Sequence, residues 1–127
     1  MTNPVILIAE DEREIRELIV FSLQLAGLET VAVPNGQEAV SRAIEIKPDL
    51  ILMDVRMPKM DGFEACRALK QNVETLDIPV VFLSARGQEA DIRMGLEIGA
   101  EAYFLKPFTP EELPQRLIRI LSKHGKM

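Results

Sequence analysis

Five residues able to do chemistry close four apolar runs of this chain. Glu10 and Asp11 follow Val5-Ile6-Leu7-Ile8-Ala9, and Asp54 follows Leu50-Ile51-Leu52-Met53. Ser84 follows Ile78-Pro79-Val80-Val81-Phe82-Leu83, and Lys106 follows Ala102-Tyr103-Phe104-Leu105. If those runs are parallel strands of one sheet, three acids, a hydroxyl and an amine converge beyond its carboxyl edge, where open α/β sheets bind ligands. Crowded carboxylates repel one another unless a cation joins them, and the hard cation suited to such a set is Mg²⁺. The constellation reads as a phosphoryl site on a carboxylate.

The elements that must position these residues are legible from periodicity and turn chemistry. Strand-like runs at 5–9, 29–33, 50–53, 78–83 and 102–105 alternate with helix-like ones. The spacing predicts a helix near 12–26, stopped by Gly27, and a second near 37–47, entered through Pro34-Asn35-Gly36 and ended by Pro48. Asp61 and Glu64 form a capping box for a third helix after Gly62. A fourth runs from Gln88 to Ile98 before Gly99. Thr109, Pro110 and Glu112 announce the last.

Strand chemistry gives the order. The first, third and fourth strands are almost wholly apolar, as strands covered by helices on both faces should be. The second and fifth carry Glu29, Thr30 and Tyr103 and suit the edges. Right-handed crossovers then favour a doubly wound, five-stranded parallel sheet in the flavodoxin-like order 2-1-3-4-5, with five helices. Glu10 and Asp11 would face Asp54 across the switch-point crevice between the first and third strands.

Composition narrows the class. The 127 residues, 47% of them hydrophobic, suit one well-cored domain spanning 1–127. A formal net charge of −5 argues against direct nucleic-acid or anionic-membrane binding. No signal-peptide pattern opens the chain, and no apolar stretch approaches the ~20 residues of a membrane span. Cys66 is the single cysteine and reads as a small core residue beside Phe63 and Leu69, compatible with a cytoplasmic location. Met57 and Met60 read as loop packing, and His124 as a solvated tail residue.

The ordered motifs Ile8-Ala9-Glu10-Asp11-Glu12, Asp54-Val55-Arg56-Met57-Pro58 with Asp61-Gly62, Ser84-Ala85, and Gly99-Ala100 with Tyr103-Phe104-Leu105-Lys106-Pro107-Phe108 resemble one family. It is the receiver domain of bacterial two-component response regulators, whose simplest member is the chemotaxis regulator. The resemblance runs from about Val5 to Leu121. It implies a phosphoacceptor switch rather than a turnover enzyme: Asp54 takes a phosphoryl group from a sensor histidine kinase or phosphotransfer protein. Asp11, Asp54 and the backbone carbonyl of Arg56 would bind Mg²⁺, with Glu10 acting through a metal-bound water. Lys106 would neutralise phosphoryl charge and the Ser84 hydroxyl would hydrogen-bond it. Ser84 and Tyr103 would pass the change to the face of the fourth helix, fifth strand and fifth helix, controlling a downstream effector or a fused output domain. The resemblance also implies a cis Lys106–Pro107 bond.

Some residues depart from the family's commonest pattern. Glu10 is one methylene longer than the usual aspartate. Arg56 and Arg86 lie two residues beyond key strand ends, where the family tunes water access to the phosphoryl group. Ala102 stands where winged-helix regulators often carry a dimer-forming acid, and Pro114 is unusual in the last helix, so both weigh against that dimer. Three rivals remain. A haloacid-dehalogenase-type phosphatase needs a second acid where Arg56 stands, and a flavodoxin-type module needs a phosphate loop where Glu10-Asp11-Glu12 would repel phosphate. A pseudo-receiver would keep the fold and lose the chemistry, yet every reactive position is filled.

Overall fold

The computed structural model describes residues 3–127. Strands and helices alternate throughout: β1 Val5–Ala9, α1 Arg13–Leu25, β2 Glu29–Val33, α2 Gly36–Ile46, β3 Leu50–Met53, α3 Gly62–Lys70, β4 Val80–Ser84, α4 Glu89–Glu97, β5 Ala102–Leu105 and α5 Glu112–Lys123. The strands form one sheet in the order β2-β1-β3-β4-β5, and every neighbouring pair is parallel. The order predicted from strand polarity is the order observed.

Alternation along the buried strands feeds two apolar layers. Leu7, Ala9, Ile51, Met53, Val80 and Phe82 face the side packed by Ala39, Ala43, Ala65, Cys66 and Leu69 of α2 and α3. Ile6, Ile8, Leu50, Leu52, Val81 and Leu83 face the other side, against Ile19 and Leu23 of α1 and Leu113, Leu117 and Leu121 of α5. Cys66 is buried as expected, and burial pushes its thiol up to about 11. Met57 and Met60 pack on the first layer.

Register places the site. Ala9 pairs with Met53 and with Val33, while Ser84 pairs with Leu105. Glu10 and Asp54 therefore leave the adjoining strands β1 and β3 at one level, and Lys106 leaves β5, beyond β4, a little further along the same edge. Backbone bonds extend the ladders past the strand ends: Asp54 N–H to the Ala9 carbonyl at 3.0 Å, and Lys106 N–H to that of Ser84 at 2.9 Å.

Caps explain several boundaries. Asp61 accepts from Glu64 N–H at 2.8 Å while Glu64 accepts from Asp61 N–H at 3.2 Å, the reciprocal box read from the sequence. Asn35 caps α2 through Glu38 N–H. Gly27 and Gly99 take φ values of 86° and 112° at the ends of α1 and α4.

Three expectations need correction. The fourth strand starts at Val80, not Ile78: the Ile78 N–H turns back to the Thr75 carbonyl, and Pro79 has no N–H to give. The last helix starts at Glu112, although the Thr109 hydroxyl caps it through Glu112 N–H at 3.0 Å. Pro114 thus lies in the first turn, where its missing N–H costs nothing. His124 is not freely solvated, for its ring Nε2 meets a Glu101 carboxylate oxygen.

Candidate functional site

Glu10, Asp11 and Asp54 each offer a carboxylate oxygen, and the three atoms lie within 4.8 Å of one another. Such a set is a poor resting place for bare negative charge and a suitable one for a divalent cation; the mix of hard oxygen donors fits Mg²⁺. The Lys106 ammonium already answers part of that charge. Its Nζ donates to Glu10 Oε1 at 2.8 Å and to Asp54 Oδ2 at 3.2 Å.

The two buried acids differ from Asp11. Glu10 is 1% exposed and its Oε2 accepts from Glu12 N–H at 3.1 Å. Burial raises its carboxyl above the usual range; the Lys106 hydrogen bond opposes that rise and the Asp54 charge adds to it. Burial alone would lower the Lys106 ammonium, but the Glu10 hydrogen bond and the Asp54 charge outweigh it and raise it, so the amine is a full cation at neutral pH. Asp54 is 8% exposed, and its Oδ1 accepts from Val55 N–H at 2.7 Å. Asp11 stands exposed at the mouth.

Asp11, Asp54, Arg56, Ser84 and Lys106 line one cleft of about 180 Å³, together with Ala85 and Arg86. Glu10 sits beneath it rather than on its wall. The Ser84 hydroxyl is buried and accepts from Arg86 N–H at 3.0 Å, the turn-capping role weighed from sequence. Tyr103 donates its phenol to the Arg86 carbonyl at 2.6 Å, and its ring tilts against Phe82 at 5.9 Å. Burial raises the phenol above its ordinary value, while the Ser84 hydroxyl opposes that shift. The Arg86 guanidinium is engaged by Asp91 of α4 at 3.1 Å. The Lys106–Pro107 bond is cis.

Two contributors escaped the sequence reading. Arg16 Nη1 donates to the Glu10 carbonyl at 2.8 Å, fastening the acid-bearing loop to α1. Its only sequence signal is a cation placed one helical turn beyond Glu12. Gly62 brings α3 under the peptide of Asp54: a Cβ there would stand 2.2 Å from the Asp54 carbonyl oxygen. In the sequence Gly62 stands out only as part of the Asp61-Gly62 motif.

Fold and site together define an α/β receiver built to place a phosphoryl group on a strand-end carboxylate. The description "Response regulator receiver domain" matches residues 6–118, and the chain belongs to that family. The family is the phosphoacceptor switch of two-component systems, and Mg²⁺ in its acidic pocket is general to it. Over 125 residues the chain is 43% identical to the phosphate regulon transcriptional regulatory protein PhoB of Pseudomonas aeruginosa, covering 98% of this chain and 55% of that protein. It is 40% identical to the alkaline phosphatase synthesis transcriptional regulatory protein PhoP of Bacillus subtilis, covering 95% and 50%. The chain thus spans about half the length of these relatives. Among solved structures, Vibrio cholerae chemotaxis protein CheY4 superposes with a TM-score of 0.88 at 31% identity, covering 94% of this chain and 99% of that one. The receiver domain of the Pseudomonas aeruginosa sensor histidine kinase PA1611, which holds a magnesium ion in its active-site cleft, also scores 0.88 at 30% identity, covering 95% and 99%. Among the described residues no helix is long and apolar enough to cross a membrane.

Proposed function

We propose that Asp54 is the phosphoacceptor of this receiver, that Glu10, Asp11, Asp54 and the Arg56 carbonyl hold Mg²⁺, and that residues 1–127 act as one receiver domain in the cytoplasm. The observation that carries the reading is the Lys106 ammonium held between Glu10 and Asp54, at the rim of a cleft shared with Asp11 and Ser84. The donor is a phosphohistidine on a sensor kinase or phosphotransfer protein. An Asp54 carboxylate oxygen bonds to phosphorus as the bond from phosphorus to the donor imidazole nitrogen breaks, and the imidazole leaves with the electron pair. Negative charge spreads over the phosphoryl oxygens during transfer, so positioning and charge neutralisation supply most of the catalysis. Bound Mg²⁺ supplies two positive charges to that end. Lys106 supplies a third, with no proton lost at neutral pH. Asp54 lies in a low-dielectric floor, where each such charge counts for more than in water.

Ser84 and Tyr103 read out the modified state. Both contact the Ala85–Gln88 loop, through Arg86 N–H and the Arg86 carbonyl respectively. A phosphoryl oxygen that accepts from the Ser84 hydroxyl draws it toward the cleft and, through the Arg86 N–H it holds, biases that loop and with it α4 and β5. The chain promotes its own phosphorylation and dephosphorylation, and is not a turnover enzyme. PhoB and PhoP, transcriptional regulators about twice its length, favour a fused DNA-binding domain as the output over a separate effector protein; the receiver itself does not touch nucleic acid.

Incubation with a small phosphodonor and Mg²⁺, followed by intact-mass measurement, tests the assignment. One phosphoryl mass is expected on the wild type and none on Asp54→Asn. An undiminished gain in the variant contradicts it.

A further inference from the structure

The β2–α2 turn meets the loop leaving Asp54 at a point where no side chain can stand. Gly36 opens α2, and its N–H donates to the Met60 carbonyl at 3.1 Å. A Cβ built on Gly36 would lie 2.2 Å from that oxygen, 2.9 Å from its carbon and 3.1 Å from the Asp61 carbonyl oxygen. All three are backbone atoms, so no rotamer change relieves the clash. Gly36 has no left-handed φ, unlike Gly27 and Gly99, so the close approach rather than conformation accounts for glycine here.

Both partners in this contact are held. Asn35 is 4% exposed; it accepts from Glu38 N–H and donates to Glu38 Oε2, each at 2.9 Å. The loop Val55–Asp61 is tied at one end by Gly62 N–H to the Val55 carbonyl at 2.7 Å. Gly36 ties the other end. Arg56 lies between the two anchors.

We propose that Gly36 is a positioning residue for the metal site: by admitting the Met60 carbonyl it sets the loop that aims the Arg56 carbonyl at the ion beside Asp54. The inference rests on Asp54 and the Arg56 carbonyl being Mg²⁺ ligands. Any side chain at position 36 pushes the loop off that line without touching a ligand. The effect falls on metal affinity first and on phosphorylation only through it.

Calorimetric Mg²⁺ titration of the wild type, Asp11→Asn, Gly36→Ala and Gly27→Ala, without phosphodonor, separates the possibilities. Gly36→Ala should weaken Mg²⁺ about tenfold or more, the size of outer-shell effects at metal sites. Gly27→Ala forces alanine into a φ of 86° with open space around it, so it should lose thermal stability and keep wild-type affinity. Phosphorylation of Gly36→Ala should recover at saturating Mg²⁺, which a general loss of structure would not allow. Alanine is the better helix former; a Gly36→Ala protein with a raised melting temperature and unchanged Mg²⁺ affinity would overturn the proposal. If Asp11→Asn weakens binding while Gly36→Ala does not, only the role of Gly36 fails. A wild type that takes up no Mg²⁺ removes the ligand reading and this inference together. Should Gly36→Ala not fold, the wild-type amide spectrum decides: the Gly36 resonance must shift with Mg²⁺ in step with Arg56 while Gly27 stays put, and a static Gly36 signal refutes the coupling.

Discussion

The helices on either side of β5 are held in very different ways. α5 buries Leu113, Pro114, Leu117 and Leu121, is capped by the Thr109 hydroxyl, and lays Arg116 over the Phe104 ring at 3.8 Å. α4 buries one residue, Gly95, has no side-chain cap at Gln88, and leaves Met94 and Leu96 exposed. Each fully buried leucine contributes roughly 1.5–3 kcal/mol, so the three in α5 anchor it to the sheet while α4 has almost no such anchorage. The loose helix is also the one that begins just beyond Ser84, at the end of the loop that Tyr103 contacts. Elements that move in a switch come from the weakly held part of a fold. Here that part adjoins the cleft of Asp54 and Ser84, and a secure helix stands opposite as the frame.

The largest effect should come from removing an anchor. Leu117→Ala should cost about 2–5 kcal/mol in urea unfolding, whereas Met94→Ala should stay within roughly 0.5 kcal/mol. Equal costs would dissolve the contrast between the helices. Native-state hydrogen exchange sharpens it: α4 amides should open locally, at least about 2 kcal/mol below α5 amides that exchange through global unfolding. Matching protection in both helices would break it.

A subtler change acts at the α4–β5 seam. An added Cβ at Gly95 would lie 3.0 Å from Tyr103 Cδ2 and 3.1 Å from Phe82 Cδ2. Gly95→Ala gains up to about 1 kcal/mol of helix propensity and must displace a ring. Because Tyr103 is only partly buried and Phe82 is fully buried, Tyr103 should move, with net stability changed by less than about 1 kcal/mol and its ring resonances shifted. The smallest effect concerns pH. The His124 hydrogen bond, helped by Lys123, holds the Glu101 carboxyl below the usual range and ties the start of β5 to the end of α5. A depressed carboxylate stabilises the fold above its unfolded value and loses that contribution as pH falls through its folded value. Glu101→Gln should therefore matter at neutral pH, by no more than about 1 kcal/mol for so exposed a cluster, and not at all once wild-type Glu101 is protonated. A wild-type-to-variant difference that grew toward acid pH would contradict the tie.

Strand order and the strand-end chemistry were legible because each rests on a local signal: unbroken apolar runs mark the central strands, and Asp54 or Lys106 stands out at the end of such a run. What escaped was nonlocal. The stretch after α3 carries no apolar period, yet it is built in place: the Thr75 hydroxyl donates to the Leu69 carbonyl at 2.7 Å, and Lys70 Nζ to those of Leu76 and Ile78 at 3.0 and 2.7 Å. Ile78 therefore belongs to that turn, though its apolarity suggests a strand. His124 finds Glu101 across 23 positions of sequence, and no spacing rule predicts that meeting. Gly36 looks like an ordinary turn residue until the Met60 carbonyl is seen against it.

The switch itself is tested most directly by amide NMR of the wild type with Mg²⁺, before and after adding beryllofluoride as a phosphoryl mimic. Resonances of Asp54 and Ser84, of the Ala85–Gln88 loop, of Tyr103 and of α4 should shift, while Leu113, Leu117 and Leu121 of α5 stay close to their starting positions. Ser84→Ala should retain the shift at Asp54 and lose most of it at Tyr103. Shifts confined to the Asp54 cleft, with α4 and Tyr103 unchanged in the wild type, would mean a phosphoryl site without a switch and would contradict this account.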